Sequence, residues 1–289
     1  MGMRMNDRKQ IRHGVEAKKE YGQNFLTDES LLTELTELAG LSAQDAVLEI
    51  GAGMGSLTEV LAARCRRVVS VEIDPDLIPY LILIRERHPN LTVVHESILK
   101  VNLQEQMAGE NAFHVIGNIP YHLTSDIVRL LLYSRAPIAS FSLTVQEEAA
   151  QRIAAGPGGK DWGLLGLETA YWGRPEILKR VPREMFTPAP KVDSAFLRVQ
   201  PHGTRRYQHD AEKEKAFLRF CRAAFAQRRK TLLNNLGPAY RISREEAAAI
   251  LSRAGLVPDI RAEAMNMEAF YAVFDAMDAK EEESCRATE

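Results

Sequence analysis

The 289-residue chain is poor in the residues that build covalent or metal staples. Its three cysteines, Cys65, Cys221 and Cys285, are scattered and form no Cys-x-x-Cys, which argues against a disulfide framework or a metal knuckle. The seven histidines are equally dispersed, with no His-Glu-x-x-His, so no metal is expected. No stretch approaches the roughly 18 apolar residues of a membrane span. The opening Met1-Gly2-Met3-Arg4-Met5-Asn6 has no apolar signal core, and Asn6 stands where a myristoylation signal wants Ser or Thr. A cytoplasmic location is expected. Charge of one sign is also missing: 37 Lys+Arg against 39 Asp+Glu exclude a protein that is basic all over.

The average hides a gradient. Between Arg205 and Lys230 nine basic residues face three acidic ones, whereas the last nine residues hold four Glu and one Arg. A polyanion would dock on the former. Strand-like apolar runs fall at 46–50, 67–73, 91–95, 113–117, 140–145 and 194–199, with helical stretches between most of them. Asp28 is placed to cap a helix carrying Leu31, Leu32, Leu35 and Leu38. Strands alternating with helices predict an α/β fold with a mostly parallel sheet covered on both faces. After Pro201-His202-Gly203-Thr204 the pattern is helical at 211–227, 232–236, 243–254 and 267–278. The expected organisation is a flexible basic tail at 1–17, a catalytic domain at 18–202, a helical domain at 203–278 and an acidic tail at 279–289.

Three motifs carry chemistry. The first strand runs into Gly51-Ala52-Gly53-Met54-Gly55-Ser56, whose glycines let a ligand lie on bare backbone. A dinucleotide fingerprint wants its third glycine where Ser56 stands, so Gly51 and Gly53 suit a nucleoside cofactor without a pyrophosphate, such as S-adenosylmethionine. Glu72 ends the second strand, where a carboxylate accepts hydrogen bonds from ribose hydroxyls. Asn118-Ile119-Pro120-Tyr121 follows the apolar run containing Phe113, Val115 and Ile116. The lone pair of a nucleobase amine is delocalised into the ring, and two acceptors pulling on its N–H bonds restore it. The Asn118 side-chain oxygen and the Ile119 carbonyl are such acceptors, and Tyr121 offers a face for the base.

With these motifs the chain resembles the ribosomal RNA adenine N6-dimethyltransferases, most closely their bacterial small-subunit branch, from Lys18 to about Ala276. Gln23-Asn24-Phe25-Leu26 is similar to the family's opening motif, with Asn24 and Leu26 implied at the cofactor's methionine part. The segment from Leu48 to Thr58 resembles its glycine loop, and Val71-Glu72-Ile73-Asp74 its ribose motif. Asn118 to Tyr121 resembles its catalytic motif. Phe186, opening Phe186-Thr187-Pro188-Ala189-Pro190-Lys191-Val192-Asp193-Ser194, is implied as a second stacking ring opposite Tyr121. The run from Arg222 to Leu236 resembles the small-subunit signature, which implies RNA contacts at Arg222, Arg228, Arg229 and Lys230.

The resemblance implies a Rossmann-like class I methyltransferase sheet with a small helical C-terminal domain. The implied reaction is dimethylation, by S-adenosylmethionine, of the N6 atoms of two adjacent adenosines in a hairpin near the 3′ end of 16S rRNA. A monomer acting on the small subunit or its precursor is expected. The rival readings are a large-subunit methyltransferase of the resistance type, a DNA adenine methyltransferase and a non-catalytic assembly factor. The chain departs from the family at Ser97, where Asp usually accepts the cofactor's adenine amine, at Glu147 for Lys and at Trp162 for Tyr.

Overall fold

The computed structural model describes the backbone of residues 17–286 and the side chains of 17–278. The basic tail expected at 1–17 lies outside it but for Ala17, as do the side chains of the acidic tail. The chain forms two compact units. One takes the residues up to Ala150 together with Pro175–Pro201; the other takes Gln151–Arg174 and the chain from His202.

In the first unit β1 (Phe25–Leu26) leads into α1 (Glu29–Leu38), which Asp28 caps as expected, its carboxylate accepting from Leu31 N at 2.9 Å. There follow β2 (Ala46–Ile50), α2 (Ser56–Arg64), β3 (Arg67–Glu72), α3 (Ile78–Arg87), β4 (Leu91–His95), α4 (Leu103–Gln106), β5 (Phe113–Asn118), α5 (Thr124–Tyr133) and β6 (Ile138–Gln146). After β6 the chain enters α6 (Glu147–Ala154) and α7 (Leu164–Trp172), then returns through β7 (Gly173–Val181), β8 (Phe186–Thr187) and β9 (Ser194–Pro201).

The seven-stranded sheet has the order β4-β3-β2-β5-β6-β9-β7. The pairs β2–β3, β3–β4, β2–β5 and β5–β6 are parallel, and β6–β9 is antiparallel. All five residues of β2 are buried, as a parallel strand covered on both faces requires. From β2 the chain moves outward through β3 and β4, then returns to β5 on the other side of β2. The strand order therefore reverses between β2 and β5, and a crevice for a ligand opens at their carboxyl ends. Phe25 and Leu26 pair with Thr187 and Phe186 in a separate two-stranded ribbon.

The β7 strand was not expected from the sequence. It lies at the sheet edge, contains Pro175 and is largely exposed, so its residues lack the apolar alternation by which strands are recognised.

The second unit adds α8 (Ala211–Ala224), α9 (Leu232–Tyr240), α10 (Arg244–Arg253) and α11 (Met267–Arg286). Ser243 and Glu246 form a reciprocal capping box at the start of α10. Its core gathers Phe217, Phe220, Phe270 and Phe274 with Tyr207, Trp162 and Tyr171. Tyr171 and Phe217 lie 5.2 Å apart between ring centroids. Trp162, Leu167 and Tyr171 are thus why 151–174 belongs with the helices: their apolar area is buried there. The sequence reading placed one crossing between units near 203; the fold has one after Pro201 and two more, after Ala150 and after Arg174. Among the described residues no helix is long and apolar enough to cross a membrane, and no group of three His, Cys, Asp or Glu is placed to hold a metal ion.

Candidate active site

A cavity opens where β2, β3 and β5 end, a concave position of the kind small-molecule sites occupy in open α/β sheets. Its wall includes Asn24, Gly51, Gly53, Glu72, Ser97, Asn118 and Tyr121, so the fold brings most of the residues singled out from sequence to one place. The topology explains this: the glycine loop leaves β2, Glu72 ends β3 and Asn118 ends β5.

The glycine loop is shaped for close approach. Gly53 has φ +60°, and a Cβ there would sit 3.1 Å from the Phe25 ring. Gly55 has φ +90°, a conformation that strains any L side chain, and its Cβ would fall 2.1 Å from Ile84 Cδ1, a methyl that would have to move aside.

The Glu72 carboxylate is held by backbone. Glu72 accepts from Gly53 N at 2.7 Å, from Ile73 N at 2.8 Å and from Asp74 N at 2.9 Å. Burial raises its pKa, and these three donors recover only part of the shift. Asp74 is buried too, which opposes ionisation. The Lys18 ammonium, the Gln23 amide and Asp76 N outweigh burial and hold the Asp74 carboxyl below the usual carboxylate range. On the neighbouring strand β2, Glu49 lies buried inside the sheet. Burial pushes it up to about 7 although Ser70 and Thr58 hydroxyls donate to its Oε2 at 2.6 Å each; its Oε1 has no hydrogen-bond partner.

At the far wall Asn118 Nδ2 donates to the Asn24 carbonyl at 2.7 Å. Tyr121 Oη shares a 2.7 Å hydrogen bond with Ser194 Oγ, and burial raises its pKa. Ser97 lies on the cavity wall with its N–H donated to Glu96 Oε1 at 2.8 Å.

Two residues expected around the cofactor and the base fall elsewhere. Leu26 is buried beside a smaller neighbouring cavity that also touches Gly51, Gly53 and Asn118. Phe186, expected opposite Tyr121, does not line the cavity. It is 2% exposed and packs with Leu26, Leu31, Val181 and Phe196, because pairing with Leu26 in the ribbon turns its ring into the core. In the helical unit, Arg222 lies 3.4 Å from the buried carboxylate of Glu168. Arg228 donates to the Lys160 and Trp162 carbonyls at 2.7 and 3.2 Å and pairs with Glu263 at 3.1 Å. Arg229 and Lys230 are exposed on the turn after α8. Glu147 pairs with Arg180 at 3.2 Å, and Trp162 is buried in the helical core.

Sequence reasoning missed Lys18 and Gln23 as ligands of Asp74, and Ser194 as the partner of Tyr121. Gln23, Asp74 and Ser194 all lie inside motifs already singled out, but nothing in their spacing shows that they meet.

Residues 14–279 match the model of the family described as ribosomal RNA adenine dimethylase. A ribosomal RNA small subunit methyltransferase A from Geobacillus thermodenitrificans (strain NG80-2) is 38% identical over 275 residues, covering 92% of each chain. Among solved structures, the 23S rRNA methyltransferase ErmE superposes with TM-score 0.67 at 28% identity over 88% of this chain and 100% of its own. A dimethyladenosine transferase from Plasmodium falciparum gives TM-score 0.75 at 21% identity, covering 89% of this chain and 98% of its own, a likeness of fold.

Proposed function

This chain belongs to the ribosomal RNA adenine dimethylase family, and from that premise we propose how its own residues carry the reaction. The enzyme uses S-adenosylmethionine to methylate N6 of two adjacent adenosines near the 3′ end of 16S rRNA, yielding dimethyladenosines in the course of small-subunit biogenesis. The observation that carries the reading is the meeting of the glycine loop, Glu72 and Asn118 to Tyr121 around one cavity at the strand-order reversal.

The cavity fits the cofactor. Bare backbone at Gly51 and Gly53 admits close contact, Glu72 supplies a carboxylate for hydroxyls, and Ile73 and Ile98 give an apolar wall near Ser97. Glu72, Gly51, Gly53, Asn24 and Ser97 hold it in this reading. When bound, the cofactor supplies an activated methyl on a sulfonium, so no strong general base is required. The protein's task is to align the amine and restore its lone pair. Asn118 Oδ1 and the Ile119 carbonyl accept from the N6 hydrogens, and Tyr121, fixed through Ser194, supplies the stacking face for an adenine drawn out of its loop. After the first transfer only one N–H remains, and stacking then carries more of the orientation.

RNA docking falls to the exposed Arg229 and Lys230, with phosphate contacts setting affinity. Arg222 and Arg228 add positive charge while already paired within the protein. A monomer working in the cytoplasm on the small subunit or its precursor completes the proposal. Nucleoside mass spectrometry after incubation with unmethylated small subunits, large subunits and DNA tests it. N6,N6-dimethyladenosine in small-subunit RNA alone is expected, and the same product in large-subunit RNA would overturn the substrate assignment. Binding without methylation would leave an assembly factor.

A further inference from the structure

Asn118 has a carboxamide whose two ends do opposite work, and a flipped side chain would present a donor where the reaction needs an acceptor. Its orientation is set by one neighbour. The Asn24 carbonyl lies 2.7 Å from the Asn118 amide nitrogen, and a carbonyl oxygen can only accept, so the nitrogen must face residue 24 and the oxygen is left for the cavity. The position of the Asn24 carbonyl depends in turn on the segment that carries it. Only two residues of that segment, Phe25 and Leu26, are paired as strand.

The rest is tied down at Asp74, whose side chain is 1% exposed. Gln23 Nε2 donates to Asp74 Oδ2 at 2.8 Å, while Gln23 Oε1 accepts from Lys18 N at 2.8 Å. Lys18 Nζ reaches Asp74 Oδ1 at 2.6 Å and Asp76 at 2.7 Å, and Asp76 N donates to the same Asp74 oxygen at 3.0 Å. Asp74 N is itself bound by Glu72. A path of hydrogen bonds joined by the covalent chain thus runs from the Glu72 carboxylate through Asp74 and Gln23 to the Asn24 carbonyl that holds Asn118.

We infer that Asp74 and Gln23 are positioning residues for the methyl transfer, acting through the Asn24 carbonyl to keep the Asn118 oxygen turned toward the substrate amine. The inference rests on the reading of Asn118 given above. Every bond of the clamp has one possible direction, which makes it open to reciprocal exchange. Asp74→Asn sets an amide donor against the Gln23 donor. Gln23→Glu sets two carboxylates face to face. The double variant Asp74→Asn/Gln23→Glu restores one donor and one acceptor in reversed order, and a glutamate at 23 still accepts from Lys18 N.

The test combines kcat at saturating cofactor and small subunits, the cofactor Kd by calorimetry, and the Asn118 side-chain amide signals of ¹⁵N-labelled, cofactor-free protein, assigned by their loss in Asn118→Asp. Each single variant should lose about tenfold in kcat, a loss consistent with a small displacement of a catalytic group, with a cofactor Kd within about threefold of wild type. The Asn118 amide signals should move in both singles, and the double variant should recover kcat and signals together. Unmoved Asn118 signals, a loss confined to cofactor Kd, or a double variant no better than the singles would each overturn the inference. Wild-type protein that methylates no RNA would instead overturn the functional reading, and the amide signals would still decide whether the clamp orients Asn118.

Discussion

The carboxyl edge of the sheet and the turn after α8 both concentrate charge, and they treat it in opposite ways. At the sheet edge Glu72 and Asp74 are buried and each is held by three or more donors, so their charges are fixed in place. On the turn Arg229 and Lys230 stay in water while Arg228 is invested in two carbonyls and a glutamate. A reaction centre needs groups that do not reorganise, whereas a polyanion surface needs mobile charge that counterions can leave. Geometry should therefore govern kcat in the first region, and charge should govern affinity in the second.

The sharpest way to break this contrast is Asn118→Ala. It should lower kcat by about a thousandfold, as removal of a positioned polar group does at reaction centres, with RNA affinity unchanged. Single-turnover methylation and filter binding measure the two separately, and an equal loss in both would erase the distinction.

Next in size is a pH effect from inside the sheet. The folded Glu49 carboxyl is raised to about 7 from an ordinary value of 4.5, so the native state holds that proton more tightly than the unfolded chain. The stability it contributes is complete below pH 4.5 and is lost as pH rises to about 7, a change of about 3 kcal/mol. Urea unfolding of wild type and Glu49→Gln at pH 4.5 and 7.5 should show wild type losing that much relative to the variant. The difference removes His114, whose pKa is lowered by burial and which acts in the opposite sense. Equal pH slopes would mean that the Glu49 carboxyl is hydrated.

In the basic turn, Arg228→Ala should cost about 1 kcal/mol of stability through its lost hydrogen bonds. Arg229→Ala should leave the melting temperature in place and reduce the salt dependence of RNA binding by about one counterion. Reversed results would return Arg228 to the RNA surface and make Arg229 structural.

What was legible in the sequence follows the same division. The strands Ala46–Ile50 and Leu91–His95 match their expected bounds, because apolar runs between turn residues leave few alternatives. The meeting of Gly53, Glu72 and Asn118 was also legible, since each follows or ends a strand and parallel strands bring their carboxyl ends together. Long-range partners were not. Gln23 and Asp74 are 51 residues apart, and their hydrogen bond exists only because the chain passes over the crevice. Arg228 reads as surface charge until the backbone carbonyls it binds, 66 and 68 residues away, are seen. Phe186 reads as a base platform until its ribbon partner Leu26 shows which way the ring turns.

The smallest expected effect lies at Ser97, where family resemblance leads one to expect Asp. Ser97 lines the cavity as a neutral acceptor, and the carboxylate beside it, Glu96, is engaged with the Ser97 N–H. On the proposed reading, in which residue 97 accepts from the cofactor's adenine amine, Ser97→Asp should replace a neutral hydrogen bond by a charge-assisted one, a gain of about 1 kcal/mol, or roughly fivefold in Kd. Repulsion from Glu96, which also lines the cavity, works against that gain, but Glu96 is exposed and water screens it more than it screens a direct contact with the amine. Calorimetry should therefore show tighter cofactor binding with kcat unchanged. An unchanged or raised Kd would mean that the neutral hydroxyl already meets the amine as well as a carboxylate would, and that fixed charge at this edge ends at Glu72 and Asp74.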